Sequence, residues 1–194
     1  MSAATADLRR LFESSGALLQ GHFKLSSGRH AEEYFQCALV LADPSAAGEL
    51  GGRLAALVRG KGWEPGIVVS PALGGIVIGH EVGRGLELRA LFAERQEGEL
   101  TLRRGFALRP RQRVLVVEDV ITTGKSTGEV VRLIKALGAV PVGAASLVLR
   151  AESVPELGVP LASLAHWPVR SFPEARCPLC AEGKVLQKPG SRPG

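Results

Sequence analysis

The chain reads as an α/β protein with a central, mainly parallel sheet flanked by helices. Three observations predict this. Val114–Val117 is an unbroken apolar run, mostly β-branched, suited to a strand covered on both faces. Gly66–Val69 is a shorter run of the same kind. Around them, stretches with apolar residues at helical spacing alternate with strand-like ones, the pattern of parallel strands joined by helical crossovers.

Each element follows from local pattern. Leu8, Leu11 and Phe12 predict a first helix over residues 5–15. Gly21–Leu25 and Tyr34–Leu41 read as short extended pieces around the polar turn Ser26–His30. Asp43-Pro44 offers an N-cap followed by proline at N1, opening a helix to about Val58. After the strand Gly66–Val69, Gly74–Leu86 fits a helix packed through Ile76, Val77, His80 and Val82. Arg89–Phe92 and residues 113–118 are further strands. Ser126–Leu137 is a helix with Val130, Leu133, Ile134 and Leu137 on one face, stopped by Gly138. Val140–Leu149 returns as a strand. With no internal repeat and no interior linker, residues 1–194 read as a single domain. The Pro/Gly/Ser-rich tail Lys188–Gly194 is expected to be mobile.

Composition narrows the class. A chain of 194 residues buries about 70% of its unfolded surface. Hydrophobic residues make up 45% and charged residues 22%, as in an ordinary soluble globule. No apolar run reaches the ~20 residues needed to cross a bilayer, and Met1–Arg10 lacks the apolar centre of a secretory signal. Three cysteines do not make a paired disulfide framework. The default location is therefore cytoplasmic. A net charge of +5 favours anionic ligands, diphosphate and nucleic acid alike.

The chemistry concentrates at Val114–Ser126, V-L-V-V-E-D-V-I-T-T-G-K-S. Ligands of such sheets gather at the carboxyl ends of the strands, where Glu118 and Asp119 fall. Thr122, Thr123, Gly124 and Ser126 bring hydroxyls and backbone N–H groups to the start of the next helix, a natural anion site. Carboxylates for sugar hydroxyls beside donors for a phosphate describe a pocket for a phosphorylated ribose. A nucleoside-triphosphate P-loop is the rival, since Gly124-Lys125-Ser126 resembles its end. That motif needs glycine five positions before Gly124, where this chain has Asp119. A plain buried strand with a polar exit explains the two acids poorly, because unpaired carboxylates are rarely buried. Ser70–Gly75 forms a second anion site of similar design, with Gly74 and Gly75 letting backbone approach a ligand.

These residues closely resemble the signature of the type I phosphoribosyltransferases, two acids after an apolar strand and then a Thr/Gly-rich loop. Within that family the chain is most similar to the orotate phosphoribosyltransferases. Phe23-Lys24-Leu25-Ser26-Ser27-Gly28-Arg29, followed by Tyr34-Phe35, resembles their N-terminal segment. Ser70-Pro71-Ala72-Leu73-Gly74-Gly75 resembles their diphosphate loop, and Thr101–Phe106 one branch's flexible loop. Arg150 matches the arginine that meets the orotate carboxylate. The resemblance covers about residues 5–152, more loosely beyond.

The resemblance implies the type I phosphoribosyltransferase fold, with a small N-terminal and hood subdomain and a flexible loop at about 94–105. It implies transfer of ribose 5-phosphate from 5-phospho-α-D-ribose 1-diphosphate to orotate, in pyrimidine biosynthesis. Mg²⁺ would be held mainly by the diphosphate substrate, with no direct protein ligation, and a homodimer would share the hood between subunits. Glu118 and Asp119 would hold the ribose and act in catalysis. Val120, Ile121, Thr122, Thr123, Gly124, Lys125 and Ser126 would take the 5-phosphate, Ala72, Leu73 and Gly74 the diphosphate, and Arg150 and Lys24 would also bind substrate. Well-studied relatives carry lysines and a histidine in the hood, whereas this chain has neither between residues 89 and 110. Arg95, Arg103 and Arg104 are the hood's cations, suited to electrostatic help and not to proton donation. The same segment, Glu94–Gly105 with central Gly98, could equally be a solvated hairpin.

Two other functions stay open at this level. A purine or uracil could replace orotate, against which Arg150 and the Lys24–Arg29 segment argue. A nucleic-acid-binding regulator of the same fold would suit the basic balance, but 5% aromatics and no basic run leave no stacking platform, so no nucleic-acid partner and no membrane partner are expected. Cys177-Pro178-Leu179-Cys180 is half of a tetrahedral zinc site. Cys37 or the histidines could complete it only by fortunate folding or across a dimer, and two reduced cysteines in a turn is the plainer reading. His22, His30, His80 and His166 show no ligand spacing among themselves. His80 reads as a helix-face residue, and Trp63 and Trp167 as edge aromatics.

Overall fold

The structure, a computed structural model, describes residues 3–25 and 27–188. Ser26 and the tail residues 189–194 named above lie outside the described residues. The chain opens with α1 (Ala3–Ser14), β1 (Leu18–Lys24), β2 (His30–Phe35), α2 (Cys37–Leu41) and α3 (Pro44–Gly60). Strands and helices then alternate through β3 (Ile67–Pro71), α4 (Gly75–Leu86), β4 (Ala90–Gln96), β5 (Glu99–Leu102), β6 (Arg113–Ile121), α5 (Lys125–Ala136) and β7 (Val140–Leu149). The chain closes with β8 (Leu161–His166), β9 (Ser171–Phe172) and the short helix α6 (Pro178–Ala181). The backbone groups into two compact units, one of Leu41–Trp167 and one joining the chain up to Val40 with the chain from Pro168 on.

The larger unit is built on a six-stranded sheet in the order β5-β4-β3-β6-β7-β8. All neighbours are parallel except the β4–β5 hairpin. Val69, Val114 and Val116 point to one face, where they pack with Val130, Val131 and Ile134 of α5. The other face carries α3 and α4, and Val68 lies against α4 there. Burial on both faces is what the apolar run 114–117 requires. β3 sends its crossover helix to β4 on one side, and β6 sends its own to β7 on the other. The order therefore reverses between β3 and β6, and a crevice opens at their carboxyl ends.

Three local expectations are corrected, and one of two readings of the segment 94–105 is met. Residues 37–41 are helical, not extended, because Cys37, Val40 and Leu41 are buried at helical spacing while Ala38 and Leu39 face outward. In α4 the buried face is Gly75, Ile78, Gly79, Val82 and Gly83, leaving Val77 43% exposed and His80 exposed. The glycines let the helix lie directly on the sheet, since a Cβ on Gly79 would fall 2.0 Å from Ser70 Oγ. In α5, Thr127 and Val131 take inward positions and Leu137, past the last turn, is 42% exposed. The segment 94–105 is a hairpin that turns at Glu97 and Gly98, both at positive φ, so it extends the sheet.

The smaller unit has its own antiparallel sheet, β1-β2-β9, with α1 against β1. The C-terminal segment is tied into it: Lys24 N–H bonds Gln187 O at 2.8 Å and Gln187 N–H bonds His22 O at 2.8 Å. Cys177 and Leu179 are buried. Residues 180–188 are themselves exposed, so this segment is held by those backbone bonds and by the burial of Cys177 and Leu179.

Candidate active site

Glu118 and Asp119 occupy the last turns of pleat in β6, the central strand at the order reversal. Both are partly buried. Glu118 accepts a hydrogen bond from the Thr127 hydroxyl, one turn into α5. Burial pushes the Glu118 carboxyl up to about 7; the Thr127 bond restrains it, and the charges of Asp119 and Glu129 add to the rise. Burial also raises Asp119, held back by the N–H groups of Val120 and of Asp119 itself, which donate to its carboxylate. Two acids kept side by side in poor solvation are poised to meet a cation or a set of hydroxyls.

The loop Thr122–Gly124 carries the chain from β6 into α5. Gly124 is the N-cap at φ 73°, with no side-chain acceptor on the helix start. Its bare Cα is required twice, by the positive φ and because a Cβ would sit 2.7 Å from Leu157. Lys125 N–H faces Thr123 Oγ1 at a long 3.4 Å. A helix start without a side-chain cap is the kind that can take an anion.

The loop after β3 lies alongside. Its Ala72 N–H bonds Ala93 O at 2.7 Å, and the Ala72–Leu73 peptide is cis. Leu73 is 75% exposed. Gly74 is the N-cap of α4, again without a side-chain acceptor. A Cβ there would fall 2.9 Å from the Asp119 carboxylate, so glycine is what lets this loop and the acid touch. Arg150 follows β7 at the same edge, its N–H bonded to Ile121 O at 2.8 Å.

The remaining named residues are placed differently. Arg95 pairs with Glu129 at 2.5 Å and donates to Gly98 O within the hairpin. Arg104 pairs with Glu94 at 3.0 Å, stacks over Phe92 at 5.8 Å, and Arg103 stands 4.0 Å from the same glutamate. Lys24 belongs to the smaller unit, where its ammonium lies 3.6 Å from Glu174. Sequence reading missed Thr127 and Glu129, which tune Glu118 from the adjacent helix. Nine and eleven positions after Glu118, they become its neighbours only once α5 folds back on β6. It also missed that His22 and His30 converge on Cys177 and Cys180.

Comparison with known proteins agrees with this layout. A family model for the phosphoribosyl transferase domain matches residues 41–159. The orotate phosphoribosyltransferase of Carboxydothermus hydrogenoformans is 48% identical over 186 residues, 96% of this chain and 97% of its own length. That of Chlorobaculum parvum is 50% identical over 182 residues, 94% of this chain and 93% of its own. The crystal structure of orotate phosphoribosyltransferase from Aeropyrum pernix aligns with a TM-score of 0.69 at 27% identity, covering 82% of this chain and 93% of that one.

Proposed function

Since the chain belongs to the orotate phosphoribosyltransferase family, we propose that it moves ribose 5-phosphate from 5-phospho-α-D-ribose 1-diphosphate to N1 of orotate, giving orotidine 5′-phosphate and diphosphate. The observation that carries this reading is the acid pair Glu118–Asp119 set between two uncapped helix starts.

The residues divide the work. Backbone N–H groups and hydroxyls of Val120–Ser126 hold the 5-phosphate and so fix where C1 lies. Glu118 and Asp119 accept from the ribose hydroxyls, and their charge favours the cationic ring that forms as the C1–O bond breaks. Ala72, Leu73 and Gly74 meet the diphosphate. Arg150 forks onto the orotate carboxylate, with Thr122 hydrogen-bonding the same ligand. Lys24 is carried as a substrate-binding residue by resemblance alone.

The site fits Mg²⁺ held mainly by the diphosphate substrate: the paired carboxylates and nearby hydroxyls offer oxygen only, as the surroundings of a hard cation prefer, and would face its outer shell. The octahedral positions are then left to substrate oxygens and water. When bound, the ion neutralises charge on the departing diphosphate. Glu118, raised to about 7, ionises fully once a cation or cationic ring faces it.

The hairpin arginines serve electrostatically, since guanidinium stays charged at neutral pH. They are held by Glu94 and Glu129, and turning toward diphosphate requires exchanging those partners. A homodimer in which each hairpin serves its neighbour's site extends this reading.

The direct test supplies the protein with Mg²⁺, the diphosphate donor and one base at a time: orotate, uracil, adenine or hypoxanthine. Diphosphate release with orotate alone is expected. Release with a purine and none with orotate overturns the base assignment, and no release with any base overturns the enzyme reading.

A further inference from the structure

The smaller unit holds a second constellation that the reaction above does not use. His22 comes from β1 and His30 from β2, the two strands of one hairpin. Cys177 is the N-cap of the short C-terminal helix α6 and Cys180 lies within that helix, 150 positions from His30 in sequence. Folding brings one ligand atom from each to within 4.8 Å of the others. His22 Nε2 lies 2.9 Å from His30 Nδ1, 3.5 Å from Cys177 Sγ and 3.6 Å from Cys180 Sγ. Cys180 Sγ lies 3.3 Å from His30 Nδ1.

The three nitrogen–sulfur spacings of 3.3–3.6 Å match the edges of a small tetrahedron, and the 2.9 Å nitrogen–nitrogen spacing is a few tenths of an ångström shorter than one. With Zn–S of about 2.3 Å and Zn–N of about 2.0 Å, tetrahedral ligands stand roughly 3.3–3.8 Å apart. Two sulfurs and two imidazole nitrogens in that arrangement select zinc over the hard cations. The second shell of His22 agrees, whereas the buried Nε2 of His30 has no hydrogen-bond partner among the described residues. His22 Nδ1 is 2.9 Å from Lys184 O and can only donate to a carbonyl, which leaves Nε2 with its lone pair facing the cluster. His22, His30 and Cys177 are buried and Cys180 is exposed, so three of the four ligands are shielded from solvent and the fourth closes the site from the surface. Neither cysteine is in a disulfide.

We infer that His22, His30, Cys177 and Cys180 form a structural zinc site that clasps the C-terminal segment to the N-terminal hairpin. Four protein ligands leave no open coordination position, which separates this site from a catalytic one. Both thiols give up their protons as the metal enters, and the bound ion closes a loop of most of the chain. The β2–β9 pairing and the Gln187 bonds to Lys24 and His22 need the same closure, so the ion and these contacts reinforce each other.

Elemental analysis of the full-length protein, purified without chelator, tests this. About one zinc per chain is expected. After acid or chelator removes the metal, titration with Co²⁺ should give the intense visible bands of a tetrahedral thiolate-ligated ion, saturating at one equivalent. Cys180→Ser and His30→Ala should each lower the zinc content several-fold and lower Tm, while chelator should lower the wild-type Tm toward theirs. Metal-free wild-type protein that gives no such cobalt bands overturns the site, as does a Cys177–Cys180 disulfide in freshly purified protein. Unchanged zinc in both variants overturns the ligand assignment. The wild-type measurements do not depend on whether a variant folds.

Discussion

Helix α3 and helix α5 begin in opposite ways. At α3, Asp43 caps its own helix, its carboxylate accepting from Ser45 N–H at 2.8 Å and Ala46 N–H at 3.0 Å, with Pro44 at N1. At α5 the cap is Gly124, and at α4 it is Gly74; neither offers a side-chain acceptor. Every helix start has orphan N–H groups. α3 satisfies its own with its cap side chain, whereas the two helices at the order reversal have no cap side chain and engage, among the described residues, only Ile76 N–H, on Leu73 O, and Lys125 N–H, on Thr123 Oγ1 at a long 3.4 Å. A start that caps itself serves the fold, and one that does not is available to an anion.

The largest effect expected from this contrast is at the open starts. Asp119→Asn should lower kcat by about 100-fold or more, the scale of removing a preorganised electrostatic group, with little change in Tm. Near-normal turnover in that variant would remove the acids from the mechanism. Arg150→Ala should come next, raising KM for orotate by roughly 10- to 100-fold, as loss of a charged hydrogen-bonded pair does. KM for the diphosphate donor should stay close to wild type; equal weakening of both substrates would deny Arg150 a part in selecting the base.

Glu118→Gln sharpens the contrast through pH. In the ligand-free protein the Glu118 carboxyl is raised from an ordinary 4.5 to about 7. Between those values the folded state binds more protons than the unfolded one, so wild-type stability falls as pH rises through this window. Glutamine removes that loss. The variant should therefore gain Tm relative to wild type from pH 5 to pH 8 while losing activity, as expected where function is carried by a poorly solvated charge. A Tm difference that does not vary across that range would mean Glu118 titrates normally. The smallest effect belongs to the self-capped helix. Asp43→Ala should cost about 1 kcal/mol of stability and leave kcat/KM unchanged, the reverse of Asp119→Asn. A loss of activity there without loss of stability would erase the distinction between the two kinds of helix start.

The legibility of these features in the sequence followed their contiguity. The loop proposed to hold phosphate and both acids lie within 114–126, and strand, turn and helix start each carry their own residue signature. Asp43-Pro44 was equally readable. The inner face of α4 was not, because Gly75, Gly79 and Gly83 add nothing to an apolar pattern yet are what the sheet contacts. The hairpin at 94–105 was readable as one of two alternatives, but its ion pairs were not, because its charges pair across it and to α5 instead of facing water alone. The strands β8 and β9 are short and only partly buried, so their alternation was weak. The clustering of His22 and His30 with Cys177 and Cys180 is set by long-range pairing, for which no local spacing exists. Arg150 was found by resemblance and not by pattern, since an arginine after a strand has many uses.

The central claim is that one sugar phosphate is gripped by Glu118 and Asp119 together with the amide-lined start of α5. A crystal structure of the protein with Mg²⁺ and 5-phospho-α-D-ribose 1-diphosphate tests it most directly. Ribose hydroxyls are expected within hydrogen-bond distance of both carboxylates, with the 5-phosphate on the N–H groups of residues 122–126. A donor bound away from that edge, or bound with both acids turned from the sugar, would contradict it.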